Sequence, residues 1–178
     1  KNTKEISRSH KVITSDNGLV TITGGKWTSY RLMAEDTVDK AIEVCGLPKR
    51  KCVTKKFRIH GYRKNPDLTD HMYVYGSDEP KILQLIEKEP ALGEKLSEKF
   101  GYTLAEVVWA VREEMAITLE DVLARRVRLL FVDAREAIAA APKAAAIMAR
   151  ELGRDQAWID EQVKSFTDLA KNYIFEQK

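Results

Sequence analysis

Cysteine is scarce in this chain: Cys45 and Cys52 are the only two in 178 residues. That excludes a disulfide framework, and no C-x-x-C pair is present to hold zinc. Both are expected as reduced thiols, buried like small hydrophobes. Long apolar runs are missing as well, none approaching the roughly 18 residues that span a bilayer. The opening residues, KNTKEISRSH, have neither an apolar h-region nor an initiator methionine. No signal peptide is therefore expected, and the chain is expected to be a piece cut from something longer.

Histidine is sparse too. His10, His60 and His71 are scattered, with no second ligand at helical spacing, so no metal site is expected. G-x-S-x-G, the P-loop and a G-x-G-x-x-G after a strand are all lacking, so the chain carries no complete catalytic machinery of its own. Acid is absent between Val44 and Pro66, a stretch that holds Lys49, Arg50, Lys51, Lys55, Lys56, Arg58, Arg63 and Lys64. Residues 1–66 carry 15 Lys/Arg against 6 Asp/Glu, and residues 67–178 carry 15 against 21. A basic run of this kind is a solvated face or a contact for anionic lipid or an acidic partner. Nucleic acid is set aside, because Phe57 and Tyr62 form no stacking platform.

What is present is an ordinary globular composition, 44% hydrophobic and 32% charged. His10–Thr14 and Leu19–Thr23 are β-rich runs around Asn17-Gly18, a strong hairpin signal. A helix is expected over 28–45, capped by Thr28 or Ser29, with Tyr30, Ala34, Val38, Ala41 or Ile42, and Cys45 along its apolar stripe. Gly46 stands where a C′ glycine belongs, and Pro48 follows. Val53, Phe57 and Ile59 share one parity and predict a strand or extended segment at an edge. Residues 61–76 read as an irregular linker.

From Ser77 onward the pattern is helical. Ser77 is expected to cap a helix to about Lys88, and Pro90 to open a short one. Thr103 and Glu106 are spaced as a capping box, and Thr118 and Asp121 as a weaker one. Val122, Leu123, Val127, Leu130 and Phe131 belong to a single expected helix, on which Arg125 of 125-RRVR-128 can pair with Asp121. The alanine-rich 133–152 stretch is expected to restart at Pro142 and end at Gly153, and Asp155 to cap a last helix. The fold class is mainly α: a multi-helix bundle preceded by a small β-hairpin and helix. The expected divisions are 1–46, an extended basic connector over 47–76, and a helical domain over 77–178.

The stretch most suited to chemistry is 24-GGKWTSYR-31. Glycines let backbone amides approach a ligand closely. The helix that follows points its positive end back at the same corner, where Lys26 adds a full charge. On spacing alone, an anion site and a plain tight turn both remain open.

The blocks 7-SRSH-10, 24-GGKWTSYRLMAED-36 and 118-TLEDVLARRVRLLFVDAREAIAAAPKAAAIMARELG-153 resemble the C-terminal portion of FAD-dependent glycerol-3-phosphate dehydrogenases. The resemblance spans nearly the whole chain and is loose over roughly 47–100. It implies a flavoprotein that oxidises sn-glycerol 3-phosphate to dihydroxyacetone phosphate and passes electrons through FAD to a quinone. Its glycine-rich nucleotide motif and histidine proton acceptor would lie in residues this chain lacks, so the chain alone is expected to be inactive. The resemblance gives Arg8 and Lys26 to the substrate, Lys26 to the reacting carbon, and Gly24, Gly25, Lys26, Trp27 and Thr28 to the flavin. The helix start would face flavin N1/C2=O, where charge gathers on reduction. The sequence departs from the family's commonest form at Trp27 and His10, and neither change removes a charge the chemistry needs. The resemblance further implies a cytoplasmic enzyme, peripheral to the inner face of the cytoplasmic membrane, and a homo-oligomer. The alternatives are an oxidase that uses oxygen, and a helical domain acting as a non-catalytic interaction module.

Overall fold

The computed structural model describes residues 9–175. It is mainly α and divides into two units, one ending at Ile59 and one starting at His60.

The first unit begins with β1 (His10–Thr14) and β2 (Val20–Gly24), antiparallel with Val12 opposite Ile22. The turn is a three-residue one. Gly18 N–H bonds the Ser15 carbonyl at 2.9 Å, and Ser15 N–H bonds the Leu19 carbonyl at 3.0 Å. Of the central residues only Gly18 takes positive φ, 85°, as in a type I turn closed by a left-handed residue. A 3-10 turn at Trp27–Ser29 leads into α1 (Tyr30–Val44), two residues later than expected. The delay has a local cause, because the Ser29 hydroxyl bonds back to Lys26 rather than capping α1. The helix ends in a Schellman motif: Gly46 at φ 62°, Leu47 N–H to the Ile42 carbonyl and Gly46 N–H to the Glu43 carbonyl.

No described residue of this unit is buried. α1 turns Met33 and Thr37 toward the hairpin, while Tyr30 and Val38 of the expected stripe stay exposed. Cys45 is exposed and Cys52 half-buried, which corrects the expectation of two buried thiols. The edge strand over Val53–Ile59 does not form. Turn bonds from Lys56 N–H to the Val53 carbonyl and from Phe57 N–H to the Thr54 carbonyl interrupt it, and no partner strand lies beside it among the described residues.

The second unit carries the core. Where an irregular linker was expected, a 3-10 run forms over His71–Asp78 and buries Met72 and Tyr75. Gly76, at φ 53° and ψ −118°, lets this run press on the backbone of Gly61. Ser77 accepts the Gly61 N–H on its hydroxyl at 3.2 Å, so Asp78 and not Ser77 precedes α2 (Glu79–Lys88). A 3-10 turn at Pro90–Gly93 leads toward α3 (Leu104–Glu113), whose capping box closes with Thr103 N–H on Glu106 Oε2 at 2.7 Å.

The single helix expected after Thr118 breaks in two. Asp121–Arg126 is a π-turn, with Val127 N–H on the Val122 carbonyl at 3.0 Å. Arg128 then adopts a left-handed φ of 60° before α4 (Leu129–Val132). α5 (Ala134–Leu152) runs unbroken through Pro142 instead of restarting there, with Asp133 as its N-cap and left-handed Gly153 at its end. α6 (Gln156–Lys171) is capped by Asp155, as the sequence predicted.

α5 is the centre of the bundle and packs on α3, α4 and α6. It offers them Ala137, Ala140, Ala141, Ala144, Ala145 and Ala149, all nearly inaccessible. Around it Ile82, Leu119, Leu123 and Leu129 have no exposed surface. Each such side chain contributes about 1.5–3 kcal/mol by leaving water.

Candidate functional site

The corner 24–31 is built by β2, two glycines and the start of α1. Gly24 and Gly25 take φ of 80° and 81°, values that side-chain-bearing residues rarely adopt. A Cβ on Gly24 would stand 2.8 Å from the Ser9 carbonyl oxygen, and one on Gly25 2.6 Å from Met33 Sδ. Both glycines are therefore demanded by the fold itself: β1 and α1 close on them.

Lys26 follows with extended backbone, φ −130° and ψ 154°. Its side chain is exposed, and its ammonium makes no ion pair among the described residues. Trp27 is 86% exposed and stacks on Tyr30, with ring centroids 5.6 Å apart and planes 26° from parallel. Thr28 is exposed beside it. An open groove of about 590 Å³ runs along this corner between Lys26, Trp27, Tyr30, Met33 and Val38. No acid occupies the first turn of α1, so the positive end of the helix is uncompensated. Lys26, the exposed indole and the helix start together suit a planar, electron-rich or anionic group. Arg8 lies outside the described residues, so its distance from Lys26 is not part of this geometry.

One pair escaped the sequence reading. His10 Nε2 meets Asp36 Oδ2 at 2.6 Å, tying β1 to α1 behind the glycine corner. Both residues lie in the blocks that carry the resemblance, but a separation of 26 residues leaves no local signal. The other histidines are also paired with carboxylates: His60 with Asp78 at 2.5 Å, and His71 with Glu106 at 3.2 Å. Among the described residues no group of three or more His, Cys, Asp or Glu is placed to hold a metal ion.

The second unit holds the most buried polar cluster. Glu106 is 1% exposed and accepts from the Thr103 N–H, from the Tyr75 hydroxyl at 3.0 Å and from His71. The hydrogen bond to Glu106 raises the His71 pKa above its usual value near 6.5, against the opposing effect of burial. Burial pushes the Tyr75 hydroxyl far up, so it remains a donor. The cluster joins the 3-10 run to α3, a structural role. Arg125 pairs with Asp121 at 2.9 Å and Glu120 at 2.5 Å, the intradomain ion pairing the sequence predicted for 125-RRVR-128. Among the described residues no helix is long and apolar enough to cross a membrane.

Comparison with known proteins bears on this corner and on the helices alike. Residues 21–159 match the family described as the C-terminal domain of alpha-glycerophosphate oxidase. A protein named probable mitochondrial glycerol-3-phosphate dehydrogenase from Dictyostelium discoideum is 34% identical over 194 residues, which is 98% of this chain and 29% of that protein. A protein of the same name from Caenorhabditis elegans is 34% identical over 195 residues, 98% of this chain and 26% of that protein. The mitochondrial glycerol-3-phosphate dehydrogenase of Rattus norvegicus is 35% identical over 186 residues, 93% of this chain and 25% of the rat protein. The chain thus spans between a quarter and a third of the length of the curated relatives it matches.

Proposed function

The chain belongs to the family of the C-terminal domain of alpha-glycerophosphate oxidase, and from that membership we propose that it forms the C-terminal portion of a flavoprotein oxidising sn-glycerol 3-phosphate to dihydroxyacetone phosphate. In this reading residues 1–46 close the flavin and substrate site, 47–76 connect, and 77–178 form a helical cap. The observation that carries it is the exposed Lys26, without an ion pair among the described residues, set after two left-handed glycines at the uncompensated start of α1.

Those residues fit FAD. Trp27 and Thr28 offer surface and hydroxyl beside the backbone of Gly24 and Gly25, and Lys26 and the helix start offer positive potential. When bound, the flavin supplies the two-electron oxidant. This chain's residues would bind and orient the substrate, while the histidine that accepts its hydroxyl proton lies outside this chain: Arg8 and Lys26 hold the anionic substrate, with Lys26 near the reacting carbon, where a cation stabilises negative charge developing on that carbon's oxygen. The chain alone is inactive, because it lacks a glycine-rich nucleotide motif. Electrons leave to a quinone, with the enzyme peripheral to the inner face of a cytoplasmic membrane and assembled as a homo-oligomer. The family description names an oxidase and the relatives are named dehydrogenases, so oxygen is the competing acceptor.

The test uses an enzyme carrying this chain as its C-terminal portion. Flavin absorbance is followed anaerobically as glycerol 3-phosphate is added. Wild type bleaches, and Lys26→Ala and Arg8→Ala bleach about 100-fold more slowly, the loss typical of one charge-stabilising donor. Equal bleaching in all three removes the site assignment. Peroxide formed in air separates oxygen from quinone.

A further inference from the structure

The chemistry assigned to the glycine corner makes no use of the His10–Asp36 bridge behind it. The geometry of that bridge nevertheless concerns the corner directly. His10 lies opposite Gly24 in the β1–β2 ladder. A Cβ on Gly25 would stand 3.3 Å from His10 Cβ on one side and 2.6 Å from Met33 Sδ on the other. The Gly25 backbone, one residue before Lys26, is thus clasped between β1 and α1. From the same position the His10 ring reaches Asp36 at 2.6 Å, with 15% of its side chain accessible.

The bridge has leverage on the helix. Asp36 lies beyond Tyr30, the first residue of α1, by about 9 Å along the axis at a rise of about 1.5 Å per residue. The corner holds α1 at its start, and the bridge holds it nearly two turns later. A rod fixed at one point pivots, and a rod fixed at two keeps its direction. A water entering the broken bond would add about 2–3 Å of play. Over that lever arm the helix axis swings by roughly 15°, at the limit of the about 10–20° within which a working site must hold its groups.

We propose that His10 and Asp36 are positioning residues for the reaction: their bond fixes the axis of α1, and with it the direction from which the helix start and Lys26 meet the flavin and the substrate. The inference rests on the flavin reading given above. The role is one of geometry rather than charge, because it is the bond that spans β1 and α1. An uncharged side chain that keeps the bond therefore keeps the axis.

The test uses the enzyme carrying this chain as its C-terminal portion, with anaerobic bleaching by glycerol 3-phosphate counted per bound flavin. Asp36→Ala and His10→Ala are each expected to slow bleaching at saturating substrate by about 10- to 100-fold. The double variant is expected to be no slower than either, since both break one bond. Asp36→Asn still accepts from a His10 ring N–H and is expected to stay within about threefold of wild type. In a Lys26→Ala background, Asp36→Ala is expected to add less than about threefold, because the bridge acts through the corner. A further readout needs neither flavin nor turnover: in the flavin-free enzyme, backbone amides over 26–36 are expected to exchange about tenfold faster in Asp36→Ala than in wild type or Asp36→Asn. If Asp36→Ala binds no flavin, that exchange decides. Wild-type bleaching in Asp36→Ala or His10→Ala, with Lys26→Ala still slow, overturns the bridge and leaves the flavin reading standing. Wild-type bleaching in Lys26→Ala removes both. Asp36→Asn as slow as Asp36→Ala makes the effect one of charge and also overturns the proposal. So do unchanged exchange and full additivity with Lys26→Ala, which mark a loss unconnected with the corner.

Discussion

The buried Glu106 carboxylate gives the sharpest stability test. Three groups converge on it: the Thr103 N–H at 2.7 Å, the Tyr75 hydroxyl at 3.0 Å and His71 Nε2 at 3.2 Å. In Glu106→Leu these donors face hydrocarbon. The Tyr75 hydroxyl is the deepest, and stranding it costs about 1–3 kcal/mol; the other two lie nearer water and add about 1 kcal/mol each. Leucine recovers part of this, because a carboxylate no longer has to be desolvated. The net loss is expected at about 3 kcal/mol. Glu106→Gln is expected to cost less, about 1–2 kcal/mol, because the Tyr75 hydroxyl can turn round and accept from the amide.

Urea unfolding of the whole chain, followed by fluorescence of nearly buried Trp109, measures both variants. Combining Glu106→Leu with Tyr75→Phe should recover about 1–2 kcal/mol of the summed losses. The pH dependence has a definite sign. The folded His71 pKa is raised above 6.5, chiefly by its hydrogen bond to Glu106. Its contribution is therefore complete below about pH 6.5 and disappears as pH rises through the raised folded value. Glu106→Leu should flatten that slope. If Glu106→Leu changes stability by less than about 0.5 kcal/mol, desolvation outweighs the hydrogen bonds, and the view of this cluster as the clasp of the 3-10 run fails.

Gly76→Ala should prevent the second unit from folding at ordinary temperature, since its φ is 53° and an added Cβ would enter the Gly61 carbonyl; loss of the cooperative urea transition is the readout. Pro142→Ala should raise stability by about 1–2 kcal/mol, the gain in helix propensity less the freedom returned to the unfolded chain. Proline at this exposed site withholds an N–H from the Ile138 carbonyl, and a higher urea midpoint at unchanged slope would show its return.

Much of the fold could be read because its signals are local. Asn17-Gly18, the Thr103–Glu106 box, Asp155 and Gly46 each act within a few residues, and each appears in the structure near its expected place. The 3-10 run could not be read this way. Met72 and Tyr75 show no periodicity, and they are held by Glu106, 31 residues beyond Tyr75, and by a backbone contact with Gly61. α1 shows a different limit. Spacing named Tyr30 and Val38 for its apolar stripe, yet Met33 and Thr37 turn to the hairpin, because spacing says only that a face is apolar and not what covers it. Parity likewise nominated Val53, Phe57 and Ile59 as a strand, although a strand exists only where a partner supplies hydrogen bonds. At the candidate site Gly24, Gly25 and Lys26 were visible as a motif. The His10–Asp36 tie behind them was not, since neither residue belongs to the other's helix or strand.

The alanine face of α5 turns the usual risk of mutation around. In a core of leucines the commonest injury is loss of volume, which neighbours soften by settling inward. Along Ala137, Ala141, Ala144 and Ala145 almost every available replacement adds atoms where three helices already touch. Overpacking of this kind is relieved only by moving backbone. Drift at these positions is therefore nearly one-way: serine and glycine are the small exits, and anything larger must wait for a compensating change on a facing helix. The helix thereby acts as a ratchet, holding the spacing of the bundle against drift.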